Sequence, residues 1–116
     1  PGGELKGRFT GSTPDWALLL PKGQFIEVQF GEEDPYSVTL DPHVVNGELY
    51  TWSRSENSWS ELIEEQPKAI VRIGGNLYRT TASRVSDNKL LAEVNKDRTG
   101  TSEAIGVSFH LRLDSF

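Results

Sequence analysis

The sequence predicts a mainly-β protein: a six-stranded antiparallel β-barrel with two or three short helices at its connections. Three observations carry that expectation. Segments in which apolar and polar residues alternate recur along the chain, which is the period of strands with one covered face. The turns Asn46-Gly47 and Gly74-Gly75-Asn76 join four of these segments as hairpins, because such residues accept positive φ. The helical patterns are too few for the regular strand and helix alternation of a doubly wound sheet, whereas closing the sheet protects its edges. A chain of 116 residues has room for one hydrophobic core, so 1–116 reads as a single domain with a flexible start over 1–8.

The elements follow in order. Thr13 reads as an N-cap, with Pro14 at the first helical position, Asp15 facing the positive helix end, and Pro21 as an early stop. From Gln24 to Phe30, Ile26, Val28 and Phe30 alternate with Phe25, Glu27 and Gln29, as in a half-buried strand. Gly31 to Pro35 supplies a turn. Tyr36 to Val45 is extended, and Pro42, which cannot donate to a ladder, marks an edge or a bulge. Glu48 to Arg54 returns as a strand with Leu49, Thr51 and Ser53 on one face and Tyr50, Trp52 and Arg54 on the other.

Ser58-Trp59-Ser60-Glu61 has the form of a capping box opening a short helix, with Leu62 and Ile63 on its apolar side and Pro67 as its stop. Lys68 to Ile73 and Leu77 to Val85 form the second hairpin. Asp87 to Asp97 reads as a helix with Leu90, Leu91 and Val94 on one face. A polar loop, Thr99 to Glu103, leads to a closing strand in which Ile105, Val107, Phe109, Leu111 and Leu113 alternate with polar residues.

Composition excludes several chemistries. With no cysteine there is no disulfide framework, thiolate metal site or cysteine nucleophile. A net charge of −5 argues against nucleic-acid binding, which needs a basic surface. The longest apolar run, Ala17 to Leu20, is far too short to cross a bilayer, and no signal peptide is visible. No membrane association and a cytoplasmic location are therefore expected. Acids dominate from Gln24 to Gln66, while bases are concentrated between Lys68 and Arg98. That asymmetry reads first as solvated faces, and second as a surface for a small anionic ligand.

Three stretches carry a family resemblance: Gly47 to Arg54, Ser58 to Pro67 with Trp59 near the helix start, and Ala69 to Val85 with its glycine turn. Together they resemble the pyridoxamine-phosphate-oxidase-like split β-barrels, most closely the deazaflavin-dependent nitroreductase branch and related small bacterial domains. The resemblance implies a homodimer that holds FMN or a deazaflavin coenzyme in a groove near the subunit interface and transfers hydride to a small organic substrate. In such proteins the strand matching Leu49 to Arg54 and the loop before the helix line the cofactor. Carried over, the candidate cofactor contacts are Thr51, Ser53, Arg54, Ser55, Ser58 and Trp59. Hydroxyls and a guanidinium suit a phosphate, and free N–H groups at a helix entrance favour an anion. Where these proteins usually carry a basic, glycine-containing phosphate motif, this chain has Gly31-Glu32-Glu33-Asp34. Those like charges favour the alternative, a non-catalytic small barrel with a degenerate cofactor site that binds a small ligand or a protein partner.

Other constellations are weaker. Trp52 and Trp59 are able to stack on a ligand ring, but aromatic residues of a small domain are more often core residues. His43 and His110 stand isolated in the sequence, so no metal site is expected. The serine-rich run Ser53 to Ser58 has no nucleophile elbow, and no catalytic residue is assigned.

Overall fold

The computed structural model describes residues 2–54, 58–100 and 106–114. Among them are eight strands and three helices: β1 Arg8–Phe9, α1 Trp16–Leu19, β2 Ile26–Phe30, β3 Tyr36–Leu40, β4 His43–Val45, β5 Glu48–Ser53, α2 Ser58–Glu65, β6 Lys68–Ile73, β7 Asn76–Arg84, α3 Asn88–Thr99 and β8 Val107–Leu113. The sheet order is β3-β2-β6-β7-β8-β5-β4, antiparallel along this path. The two edge strands are consecutive in the chain, linked only by Asp41 and Pro42. A sheet whose opposite edges are one short link apart must curl, and this one closes into the expected split barrel.

The strand count exceeds six for two physical reasons. The single extended segment expected from Tyr36 to Val45 breaks into β3 and β4 at Pro42, where the missing N–H ends the ladder and the chain turns the barrel corner. The opening segment also pairs with the sheet. Gly2 exchanges both backbone hydrogen bonds with Ser37, and the Leu5 N–H donates to Gln29 Oε1 at 2.7 Å. β1 then pairs in parallel with Asn76 and Leu77 of β7, ahead of the Thr80 to Arg84 stretch that pairs with β8.

Local signals account for most boundaries. Asn46 and Gly47 both have positive φ, 52° and 79°, as a two-residue hairpin requires. Asp87 caps α3 by accepting the Leu90 N–H at 2.9 Å, and Gly100 ends it in the left-handed conformation. α1 starts later than expected. Its cap is Asp15, accepting from the Leu18 N–H, rather than Thr13. α2 starts at Ser58, and the residue before it lies outside the described residues.

The barrel interior is filled by Ile26, Val28 and Phe30 of β2, Val71 of β6, and Leu49 and Leu111 of β5 and β8, among others, with Trp16 and Leu20 plugging from the α1 side. A smaller cluster of Tyr50, Val85 and Val94 lies outside the barrel, where α3 packs on β5. β5 is thus covered on both faces.

Candidate functional site

The hairpin before β5 fixes its register, so Leu49, Thr51 and Ser53 face the barrel interior while Tyr50 and Trp52 face α3. Thr51 has no exposed surface, and its hydroxyl donates to the Asp41 carbonyl at 3.2 Å, bracing the corner between β3 and β4. Ser53 is buried at the end of the strand, and Arg54 just beyond it is exposed. Trp59 lies in the core: its ring stacks on Phe30 at 5.6 Å and meets Phe109 edge-on at 5.5 Å. Ser55 lies outside the described residues, and Ser58 is described only through its place as the first residue of α2.

Of the sequence-derived candidates, the fold therefore has Ser53, Arg54 and the start of α2 at one end of the barrel, with Thr51, Ser53 and Trp59 turned inward. Gly106 packs against that end. With φ +75° it brings its backbone against Ser53 and Arg54 so closely that a Cβ would run into the Ser53 carbonyl oxygen.

A groove of about 340 Å³ is lined by Ser60, Glu61 and Glu64 of α2, Arg84 of β7 and Phe109 of β8. Arg84 and Phe109 are register partners, so β7 and β8 deliver them together. Arg84 was not among the candidates, although it stands in the Ala82 to Val85 segment that carries the resemblance. Only the pairing of β7 with β8, a long-range contact, brings it beside α2. The groove's volume lies at the small end of the range for ligand sites. Its charge is mixed, one guanidinium against two carboxylates.

The acidic turn Gly31 to Asp34 lines a separate groove of about 530 Å³ with Tyr36, Leu62 and Gln66. A third, about 390 Å³, opens on the outer face of β6 and β7 beside Lys68, Arg79 and Asp114. Burial alone would raise the Asp114 carboxyl, but hydrogen bonds from Thr81 Oγ1 at 2.6 Å and Lys68 Nζ at 3.1 Å, with Arg112 nearby, hold it below its ordinary value of 3.8. A depressed folded-state value stabilises the fold above that ordinary value, and the stabilisation fades as pH falls through the folded one. Asp114→Asn is accordingly expected to lower the urea midpoint at pH 7, with the gap to the unsubstituted protein closing below about pH 4. A gap that stays constant from pH 7 to pH 2.5 would remove the linkage.

The two histidines, isolated in sequence, meet carboxylates in space. His43 Nδ1 lies 3.1 Å from Asp97 Oδ2 and its Nε2 3.4 Å from Asp41 Oδ2, while His110 Nε2 lies 2.9 Å from Glu48 Oε1. These contacts tie β4 to α3 and β8 to β5. Among the described residues no group of three or more histidine or acidic side chains converges as a metal centre would require.

Known structures share the fold. A candidate pyridoxamine 5'-phosphate oxidase from Listeria innocua superposes with a TM-score of 0.69 at 17% identity, over 84% of this chain and 90% of that one. A candidate 5-nitroimidazole antibiotic resistance protein from Bacteroides thetaiotaomicron gives 0.63 at 12% identity, over 84% and 76%. A NimC/NimA family protein from Clostridium acetobutylicum gives 0.51 at 14% identity, over 75% and 72%. No protein-family model matches the chain, and no curated protein matches it in sequence. At these identities the likeness is one of fold alone: the chain shares the split-barrel fold of these structures.

Proposed function

We propose that this split barrel is a flavin- or deazaflavin-binding, oxidoreductase-like protein, holding FMN or a deazaflavin coenzyme at the β5 and α2 end of the barrel. One observation carries the reading. The 340 Å³ groove has Ser60, Glu61 and Glu64 of α2 and Arg84 of β7 on its wall, and the exposed Arg54 ends the strand that leads into α2, which supports a phosphate site there. Arg54 and Arg84 supply guanidinium groups for a phosphate, with the Ser55 and Ser58 hydroxyls as further contacts. The α2 entrance adds backbone N–H groups. Thr51, Ser53 and Trp59 support this surface from behind, because burial keeps all three from touching a ligand. The groove is sized for a phosphate end and not for a whole flavin, which fits a homodimer in which a second copy completes the ring site. When bound, the ring of such a cofactor carries the hydride to a small organic substrate. The protein's part is to bind and orient it.

Purified protein titrated with FMN and with a deazaflavin coenzyme, followed by absorbance and fluorescence, tests this. Saturable binding of one of them is expected, weakened about tenfold or more in Arg54→Ala, the loss of one charge-assisted contact to phosphate. No binding of either overturns the oxidoreductase reading.

A specific observation favours a second reading, a non-catalytic barrel with a degenerate cofactor site that binds a small ligand or a protein partner. Three of the six carried-over contacts, Thr51, Ser53 and Trp59, are buried, and Glu61 and Glu64 stand on the groove wall where a phosphate would be repelled. No nucleic-acid partner is proposed for a chain of net charge −5. Among the described residues no helix is long and apolar enough to cross a membrane. A cytoplasmic location belongs to the same reading.

A further inference from the structure

α3 crosses the outer face of β5 and β8 with two unlike halves. Leu90, Leu91 and Val94 pack on Tyr50 and Val85 in a dry contact. One turn on, the contact becomes polar. The Arg98 guanidinium carbon lies 4.0 Å above the Trp52 ring, and Trp52 is the register partner of Ser108 on β8. Asn95, three residues before Arg98, accepts an Nη2–H from it on Oδ1 at 2.9 Å. Ser108 lies between the inward-facing Val107 and Phe109, so its side chain shares the outer face with Trp52, beneath α3.

Asn95 and Ser108 are each only 1% exposed. Because a guanidinium only donates, the contact with Arg98 fixes the orientation of the Asn95 amide, with Oδ1 toward Arg98 and Nδ2 turned away from it. Nδ2 and Ser108 Oγ are both closed to bulk solvent, and among the described residues neither has a hydrogen-bond partner. Two such atoms on facing elements are unusual, because a buried donor or hydroxyl that gives up water without a replacement loses the whole hydrogen bond.

We propose that the seam between α3 and β8 is a binding site for a single internal water molecule, held by Asn95 Nδ2 and Ser108 Oγ. Water meets the chemistry of both atoms: it accepts from the amide and either accepts from or donates to the hydroxyl. The pair supplies the minimum of two polar partners that an internal water needs. A cation does not suit the place, with the Arg98 guanidinium bonded to the same side chain. α3 thus docks through a dry contact at Val94 and a hydrated one at Asn95.

The test uses the intact chain. A high-resolution crystal structure is expected to show an ordered solvent peak within hydrogen-bonding distance of both Asn95 Nδ2 and Ser108 Oγ. In solution, the Asn95 side-chain amide should give a direct NMR cross-relaxation signal to a long-lived water. Ser108→Ala, which removes one of the two partners while keeping the strand, should abolish or weaken that signal. Density in which Nδ2 and Oγ bond directly to each other or to other protein groups, with no solvent between them, overturns the proposal. So does an amide with no long-lived water contact, or a signal that Ser108→Ala leaves unchanged.

Discussion

Replacing Gly106 by alanine is expected to destabilise the protein by about 2–4 kcal/mol and to weaken any ligand bound at the Arg54 end of the barrel. Two costs add. At φ +75° an L side chain is strained, which costs roughly 1–2 kcal/mol by itself. The added Cβ would also run into the Ser53 carbonyl oxygen and lie 3.1 Å from the Arg54 Cα, so the end of β5 must move. Those atoms are main chain, and no rotamer change relieves the contact. Gly74→Ala is the control. Its φ is +62° but nothing lies within 4 Å of the added Cβ, so only the conformational penalty applies. Urea unfolding of the two variants separates the effects. Equal losses at both positions would mean that the approach of Gly106 to β5 is looser than described.

Trp59→Ala should cost about 3–5 kcal/mol, the usual loss when a large aromatic side chain leaves a core. For a small domain stable by roughly 5–15 kcal/mol that approaches complete unfolding. The ring's stacking on Phe30 and edge contact with Phe109 each add to simple burial. Trp59→Phe keeps an aromatic ring in place and should lose substantially less. Thermal melts of both variants decide between core and ligand roles. If Trp59 instead faced a ligand, Trp59→Ala would melt near the unsubstituted protein and lose binding alone.

Much of the fold was legible because its signals are local. Asn46-Gly47 and Gly74-Gly75 state their hairpins through residues that accept positive φ, and the apolar face of Leu90, Leu91 and Val94 placed a helix over Asp87 to Asp97, close to the observed Asn88–Thr99. The corner at Pro42 was visible as an interruption, but not as the place where the sheet's two edges join. That depends on β4 pairing with β5 and β3 with β2. The candidate site was less legible. Alternation along β5 correctly divides Leu49, Thr51 and Ser53 from Tyr50, Trp52 and Arg54, yet period alone does not say which face is open when α3 covers one and the barrel the other. Thr51 attracted attention as a polar residue, and its hydroxyl serves the Asp41 carbonyl. Arg84 and Phe109 reach the groove only through strand pairing across some 25 residues of chain, which no local pattern encodes.

The two-residue link at Asp41 and Pro42 also determines how the molecule tolerates being cut. No ladder hydrogen bond crosses that link, so a nick there would leave each strand with the neighbours it already has. What it would remove is the tether that keeps the first and last strands of the sheet order from drifting apart. Besides that tether, the two edges are held by the Thr51 hydroxyl bond to the Asp41 carbonyl and by Leu40 and Val44, which pack in one core cluster. A chain opened there should keep its sheet and loosen at the corner where the edges meet.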